Sequence, residues 1–209
     1  MKIEEIKNTI INGDCLEIMK QMPDKSVDLV LTDPPYGINY SYDKYIDTEE
    51  NLKNLIKKAM PEILRIGKRV LLTPGINNIH KYPKPKWILS WVYKGGANYC
   101  SWGFNCWQPI LAYGNDPYLE NKMGCRSDVI HKEETPEKWG HSCSKPLDFW
   151  KLLLLRGSVK ENDLILDPFL GSGTTAVAAQ FLHRNFIGIE ISKEYCKIAE
   201  QRLRQKPLL

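Results

Sequence analysis

Leu166-Asp167-Pro168-Phe169-Leu170-Gly171-Ser172-Gly173-Thr174-Thr175 is the stretch that decides the fold. An apolar run ends in an acid, a glycine-rich turn follows, and a helix is predicted beyond it. Gly171 and Gly173 allow a backbone to approach a ligand with no Cβ in the way. Around this turn, Asp163 to Asp167 is predicted as a strand and about Gly173 to His183 as a helix. Phe186 to Glu190 then reads as a second strand, and about Lys193 to Arg204 as a second helix. Strands that alternate with helices and hold few polar positions imply a parallel sheet covered on both faces.

The pattern continues toward the start of the chain. Thr9-Ile10-Ile11 reads as a short strand leaving through Asn12-Gly13-Asp14, and Cys15 to Met22 as a short helix. Val27 to Thr32 is an apolar strand running into Asp33-Pro34-Pro35-Tyr36-Gly37. Thr48 can cap a helix to about Leu64, with Leu52, Leu55, Ile56, Ala59 and Ile63 at helical spacing. Arg69 to Thr73, Trp87 to Tyr93 and Trp107 to Tyr113 read as strands, and Leu147 to Arg156 as a helix. Gly114 to Gly140 is polar and irregular. Ligands of such sheets bind at the carboxyl ends of strands. Asp14, Asp33, Asp167 and Glu190 all fall there, so they can ring one site.

A chain of 209 residues supports one sizeable core, so residues 1–209 are expected to form a single domain. Its 43% hydrophobic and 26% charged content is that of a soluble globular protein. No apolar run approaches a membrane span, and Met1-Lys2-Ile3-Glu4-Glu5 is no signal peptide, so a cytoplasmic protein is expected. Six cysteines include no C-x-x-C pair. Cys100, Cys106, Cys125, His131 and Cys143 are scattered and read as separate groups, so no metal is expected.

The net charge of +4 is small, but its distribution is not even. Ile63 to Asn115 holds no Asp or Glu, and it interleaves basic residues, Lys84 and Lys86 among them, with aromatic ones. Cations that meet phosphates and rings that meet bases suit a nucleic acid. Trp87, Trp91 and Trp107 are expected to be partly core, with the lysines facing the polyanion.

Gly171 to Ala176 also fits the dinucleotide pattern G-x-G-x-x-G/A. Two details weigh against a nicotinamide. Asp167 to Leu170 separates the strand from the glycines, and few residues follow Glu190 to build a catalytic half. Taken alone, Asp14 reads as a helix cap and Asp33 to Tyr36 as a proline turn.

Read together, five segments resemble the β class of DNA amino-methyltransferases. They are the glycine turn, Gly188-Ile189-Glu190-Ile191, His141-Ser142-Cys143-Ser144-Lys145-Pro146, Asn12-Gly13-Asp14-Cys15-Leu16 and Asp33-Pro34-Pro35-Tyr36. The resemblance covers roughly residues 9–113 and 141–204. It implies a Rossmann-like, doubly wound, mostly parallel α/β sheet in a circularly permuted arrangement. It implies S-adenosylmethionine as cofactor and double-stranded DNA as partner, as in restriction-modification systems. Cofactor contacts would come from Asp14, Cys15, Lys145, Asp167, Pro168, Phe169, Gly171, Ser172, Gly173 and Thr174. Glu190 would accept hydrogen bonds from the ribose hydroxyls, and Asp14 one from the adenine amino group. The family's Pro-Thr-Gln is replaced by Ser142-Cys143-Ser144, so Ser144 or Ser142 would make the side-chain contact to the methionine carboxylate.

The catalytic residues implied are Asp33, Pro34, Pro35 and Tyr36. An exocyclic amino group is a poor nucleophile, because its lone pair is delocalised into the base. Asp33 accepting one N–H and the Pro34 carbonyl the other would aim that lone pair and stabilise the charge that develops. Tyr36 would stack on a flipped base, with Trp102 or Phe104 on the opposite face. No cysteine follows a proline, which argues against methylation of a cytosine ring carbon. Asp at position 33 favours adenine over cytosine. RNA and protein-glutamine methyltransferases share the catalytic motif but place the cofactor turn first. A silent DNA-binding module is disfavoured by the intact Asp33, Pro34 and Tyr36. Residues 114–140 correspond to the target-recognition region and are short, so few base pairs would be read, or a partner or homodimer mate would help.

Overall fold

A computed structural model gives the fold of residues 1–41, 44–93, 99–100, 102–132 and 145–205. Its elements follow the chain as α1 (Ile3–Ile6), β1 (Thr9–Asn12), α2 (Cys15–Met19), β2 (Val27–Thr32), β3 (Tyr40–Ser41), β4 (Ile46–Asp47) and α3 (Glu49–Ile66). Next come β5 (Gly67–Leu72), a 3-10 turn (Ile76–Lys81), β6 (Trp87–Val92), β7 (Tyr99–Cys100), β8 (Gly103–Phe104) and β9 (Trp107–Tyr113). The last are α4 (Pro117–Glu120), β10 (Val129–His131), α5 (Leu147–Gly157), β11 (Leu164–Asp167), α6 (Thr174–Phe181), β12 (Asn185–Glu190) and α7 (Lys193–Arg204).

Eight strands form one sheet in the order β1-β12-β11-β2-β5-β9-β6-β10, and only β9 runs antiparallel to its neighbours. The expected doubly wound sheet is therefore present, with one reversed strand. β2 explains why both faces must be covered. Val30 packs with Leu52, Ile56 and Ile63 of α3 on one face. Leu29 and Leu31 pack with Phe149, Trp150 and Leu153 of α5 on the other. Burying a residue of this size contributes about 1.5–3 kcal/mol.

The chain leaves β11 through α6 toward β12, and leaves β2 through α3 toward β5, on opposite sides. The carboxyl ends of β11 and β2 thus flank a topological switch point, where such sheets open a ligand crevice. Thr32 donates a 2.6 Å hydrogen bond to Asp167 Oδ1 and ties the two strand ends together there.

Trp87 pairs with Ala112 and so sits level with Leu71, the second-last residue of β5. Lys86, just before it, donates through Nζ to Asn115, whose carbonyl takes Arg69 of β5. Lys86 is thus engaged with the residues that follow β9, at the end of the sheet away from Asp33. Residues 114–128 are anchored at that same end, because Asp116 pairs with Arg156 and the Tyr118 hydroxyl donates to the Leu155 carbonyl. Those partners lie in the last turns of α5, about 12–14 Å of helix from its start beside Lys145. Only with His131, level with Val92, does the segment return to the catalytic end. Finally, Trp91 is buried, but Trp87 is 63% exposed and Trp107 is 37% exposed. Among the described residues no helix is long and apolar enough to cross a membrane, and no cluster of His, Cys, Asp or Glu can hold a metal.

Candidate active site

A cavity of about 800 Å³ opens at the switch point. The first strand's exit supplies Asp14 and Cys15 to its wall, and the second supplies Asp33, Pro34, Pro35 and Tyr36. The glycine turn adds Asp167, Pro168, Phe169, Gly171, Ser172 and Thr174, and Lys145 and Glu190 complete the expected set. Gly173, Trp102, Phe104, Lys84 and Lys86 lie outside the wall, and Ser144 lies outside the described residues. Trp102 is 95% exposed and sits with Phe104 on the β7–β8 ribbon.

Among the described residues, Asp33 has three protein partners. The Tyr36 hydroxyl donates to Oδ1 at 2.5 Å, Thr73 donates to the same oxygen, and Lys145 Nζ lies 2.9 Å from Oδ2. Lys145 also donates to the Tyr36 hydroxyl at 2.8 Å. Burial works against the Lys145 charge, but Asp33 and Tyr36 outweigh it and hold the amine above its ordinary value. The Tyr36 hydroxyl is pushed up by burial first and by the Asp33 charge second, so it stays protonated and donates.

The turn that carries Tyr36 is shaped by Asp47, a fully buried acid on β4. Its carboxylate accepts the amides of Tyr36 at 3.0 Å, Gly37 at 2.7 Å and Ile38 at 3.4 Å. Gly37 needs its positive φ of 72°, and an added Cβ would meet Leu52 at 3.1 Å. Asn78 donates to the Tyr36 carbonyl at 2.8 Å from the 3-10 turn. Two proline residues alone would not fix this geometry.

In the cofactor half, Asp167 is enclosed. Thr32 and Thr175 donate to its two oxygens and the Phe169 amide to Oδ1, while burial pushes its carboxyl up to about 6. Asp167 therefore knits the turn to β2. Glu190 accepts the Gly171 and Ser192 amides, each at 2.8 Å. A carboxylate has about four acceptor positions, so room for further donors remains. Burial raises the Glu190 pKa against the amides of Ser192, Gly171 and Ile191. Asp14 caps α2 through Oδ1, at 2.8 Å from the Leu16 amide, and its other oxygen takes no part in the cap. Burial, then the Asp14 charge, push the Cys15 thiol up to about 12, so it is a neutral apolar wall residue.

Gly173 serves packing rather than ligand approach. Its φ is 86°, and a Cβ there would fall 2.6 Å from Ala199 of α7. Behind the turn, the buried Arg202 donates to the Ser172 carbonyl, the Ser172 hydroxyl and the Thr174 hydroxyl at 2.9, 3.1 and 3.0 Å. Arg202, Asp47, Thr73 and Asn78 went unnoticed in the sequence. The one available signal was Thr73, the last residue of a predicted strand beside the Asp33 strand.

The donor set suits S-adenosylmethionine. Two carboxylates retain acceptor positions for hydroxyl and amino groups, and Phe169, Cys15 and Ile191 offer an apolar wall for a flat ring. Comparison with known proteins agrees. The family described as DNA methylase matches residues 75–201. Type II methyltransferase M.HinfI of Haemophilus influenzae is 30% identical over 97% of this chain and 70% of its own length. DNA adenine methyltransferase YhdJ of Escherichia coli is 29% identical over 93% of this chain and 82% of its own. The crystal structure of an M1.HpyAVI–SAM complex superposes with a TM-score of 0.67 at 26% identity, covering 93% of this chain and 99% of that one. The chain accordingly belongs to the N6/N4 DNA methylase family, enzymes that use S-adenosylmethionine to methylate amino groups of DNA bases.

Proposed function

We propose that this chain is a cytoplasmic enzyme that methylates the exocyclic amino group of a flipped adenine in duplex DNA. The observation that carries this reading is that Asp33 and Tyr36 share one cavity wall with the glycine turn. The adenine assignment is supported by aspartate at position 33 and by a relative named a DNA adenine methyltransferase.

S-adenosylmethionine supplies an electrophilic methyl group, whose bond to sulfur breaks with its electron pair as the bond to nitrogen forms. The protein's contribution is placement. Asp33 and the Pro34 carbonyl accept the two N–H groups, the Asp33 charge stabilises the cationic nitrogen, and that nitrogen then releases one proton to solvent to give the neutral methylated amine. Holding two reactants in line can itself supply about 7–11 kcal/mol. Glu190 holds the ribose and Asp14 the cofactor's adenine. Trp102 and Phe104, exposed on their ribbon, are proposed as the aromatic surface that meets the opened duplex. A second copy of the chain is proposed to assist target recognition, since residues 114–128 are held far from Asp33.

Unmethylated genomic DNA and total RNA are each incubated with the protein and labelled cofactor, then digested for nucleoside mass spectrometry. N6-methyladenine in the DNA is expected. N4-methylcytosine would overturn the adenine assignment, and label confined to RNA would overturn DNA as substrate.

A further inference from the structure

The resemblance assigns Lys145 to the cofactor, yet its resolved contacts are with the catalytic acid. Its ammonium lies 2.9 Å from Asp33 Oδ2 and donates to the Tyr36 hydroxyl at 2.8 Å. Tyr36 passes a hydrogen bond on to Asp33 Oδ1, where Thr73 also donates. Its side chain is only 12% exposed. A buried ammonium is tolerated when it is paired, and removing its partner is costly. An ionised carboxylate has about four acceptor positions. Two on Oδ1 and one on Oδ2 are filled, which leaves one on Oδ2, beside the ammonium.

We infer that Lys145 is a positioning residue for methyl transfer, which holds Asp33 turned so that its open acceptor, on Oδ2, receives the N–H of the target amine. The inference rests on the function proposed above. Lys145 also sets the Tyr36 hydroxyl as a donor toward Asp33 and so fixes the orientation of the ring, 5.1 Å from its ammonium. Three structural elements meet in this clamp. Thr73 follows β5, Asp33 follows β2, and Lys145 precedes α5.

Other charged and titratable groups face the clamp. Tyr82 follows the 3-10 turn and senses Asp33, Tyr36 and Asp47, while Tyr93 at the end of β6 senses Lys145. Burial raises both phenols, so they stay neutral near pH 7. Asp167 senses Asp33 and titrates at about 6. It is common to every variant below, so differences between variants report Asp33.

The test uses the full chain, wild type, Lys145→Met and Lys145→Arg. Single-turnover transfer to unmethylated genomic DNA is followed at saturating labelled cofactor from about pH 5 to 9. Cofactor affinity is measured by calorimetry, and the Asp33 carboxyl by carbon-13 NMR, assigned with Asp33→Asn. For Lys145→Met the transfer rate is expected to fall about tenfold to a hundredfold, with cofactor Kd changed by no more than about twofold. Lys145→Arg should restore part of the rate. A Kd weakened about tenfold, with the saturated rate unchanged, would make Lys145 a cofactor contact and overturn the clamp. If the wild type methylates no nucleic acid, the proposed function falls and the NMR signal decides alone. An Asp33 carboxyl resonance at the same position in wild type and Lys145→Met then overturns the inference, and a displaced one supports it.

Discussion

Asp47 holds the backbone of Tyr36, its carboxylate accepting the Tyr36 amide at 3.0 Å from a strand eleven positions further along the chain. With the amides of Gly37 and Ile38 on the same carboxylate, a buried charge is satisfied entirely by main chain. The catalytic turn is thus built around an anion that belongs to another element.

Asp47→Asn places an amide donor where an acceptor is needed. Stability should fall by about 1–3 kcal/mol, the cost of a buried donor left unpaired. Urea unfolding measures that loss. The rate of transfer should fall more than cofactor affinity does, because the disturbed turn carries Pro34 and Tyr36, whereas the glycine turn is held by Glu190 and Arg202.

Arg202→Met removes the side chain that supports the glycine turn from behind. Hydrogen bonds to charged groups contribute about 1.5–3 kcal/mol, so a stability loss of that size is expected. Cofactor Kd should rise although Arg202 is absent from the cavity wall. Calorimetry with S-adenosylmethionine checks this, and an unchanged Kd would mean that the turn holds its shape unaided.

Gly173→Ala combines a positive φ with a 2.6 Å clash against Ala199. A loss of about 1–3 kcal/mol is expected from overpacking alone. Gly124→Ala, at a similar positive φ of 77° but with nothing within 4 Å, should cost less. Comparing the two thermal midpoints separates backbone strain from collision.

Burial holds the Asp167 carboxyl at about 6, against an ordinary value of 3.8. The native state therefore binds this proton more tightly than the unfolded chain. The stability it contributes is complete below about pH 4 and is lost as pH rises through about 6. Wild-type stability minus that of Asp167→Asn should fall by about 1–3 kcal/mol between about pH 4 and 7. Asp28, Asp116 and Glu120, whose pKa values are lowered, contribute the opposite trend but are shared by both proteins.

The sheet was legible because its central strands are apolar on both faces and end in acids. Val27 to Thr32 and Leu164 to Asp167 announce themselves, and the carboxyl-end rule gathers Asp14, Asp33, Asp167 and Glu190. Local pattern is silent about which end of the sheet a loop visits. Lys84 and Lys86 looked like nucleic-acid contacts from composition, yet Lys86 is engaged with Asn115, a partner that only the β9 register brings near it. Arg202 lies on a helix that the pattern reveals, but its partners are 28 and 30 residues away and depend on the fold. Asp47 sits in a two-residue strand that no periodicity reveals. Lys145 was found through its motif, but its partner, Asp33, is 112 residues distant and depends on the fold.

The central claim is that Asp33 orients an amine for methyl transfer without holding the cofactor. It is tested most directly by parallel measurement of labelled methyl transfer to duplex DNA and of cofactor affinity, in wild type and Asp33→Ala. Transfer should fall at least about a hundredfold in the variant, the scale of losing one transition-state donor or acceptor, with cofactor Kd nearly unchanged. Full transfer by Asp33→Ala would contradict the account.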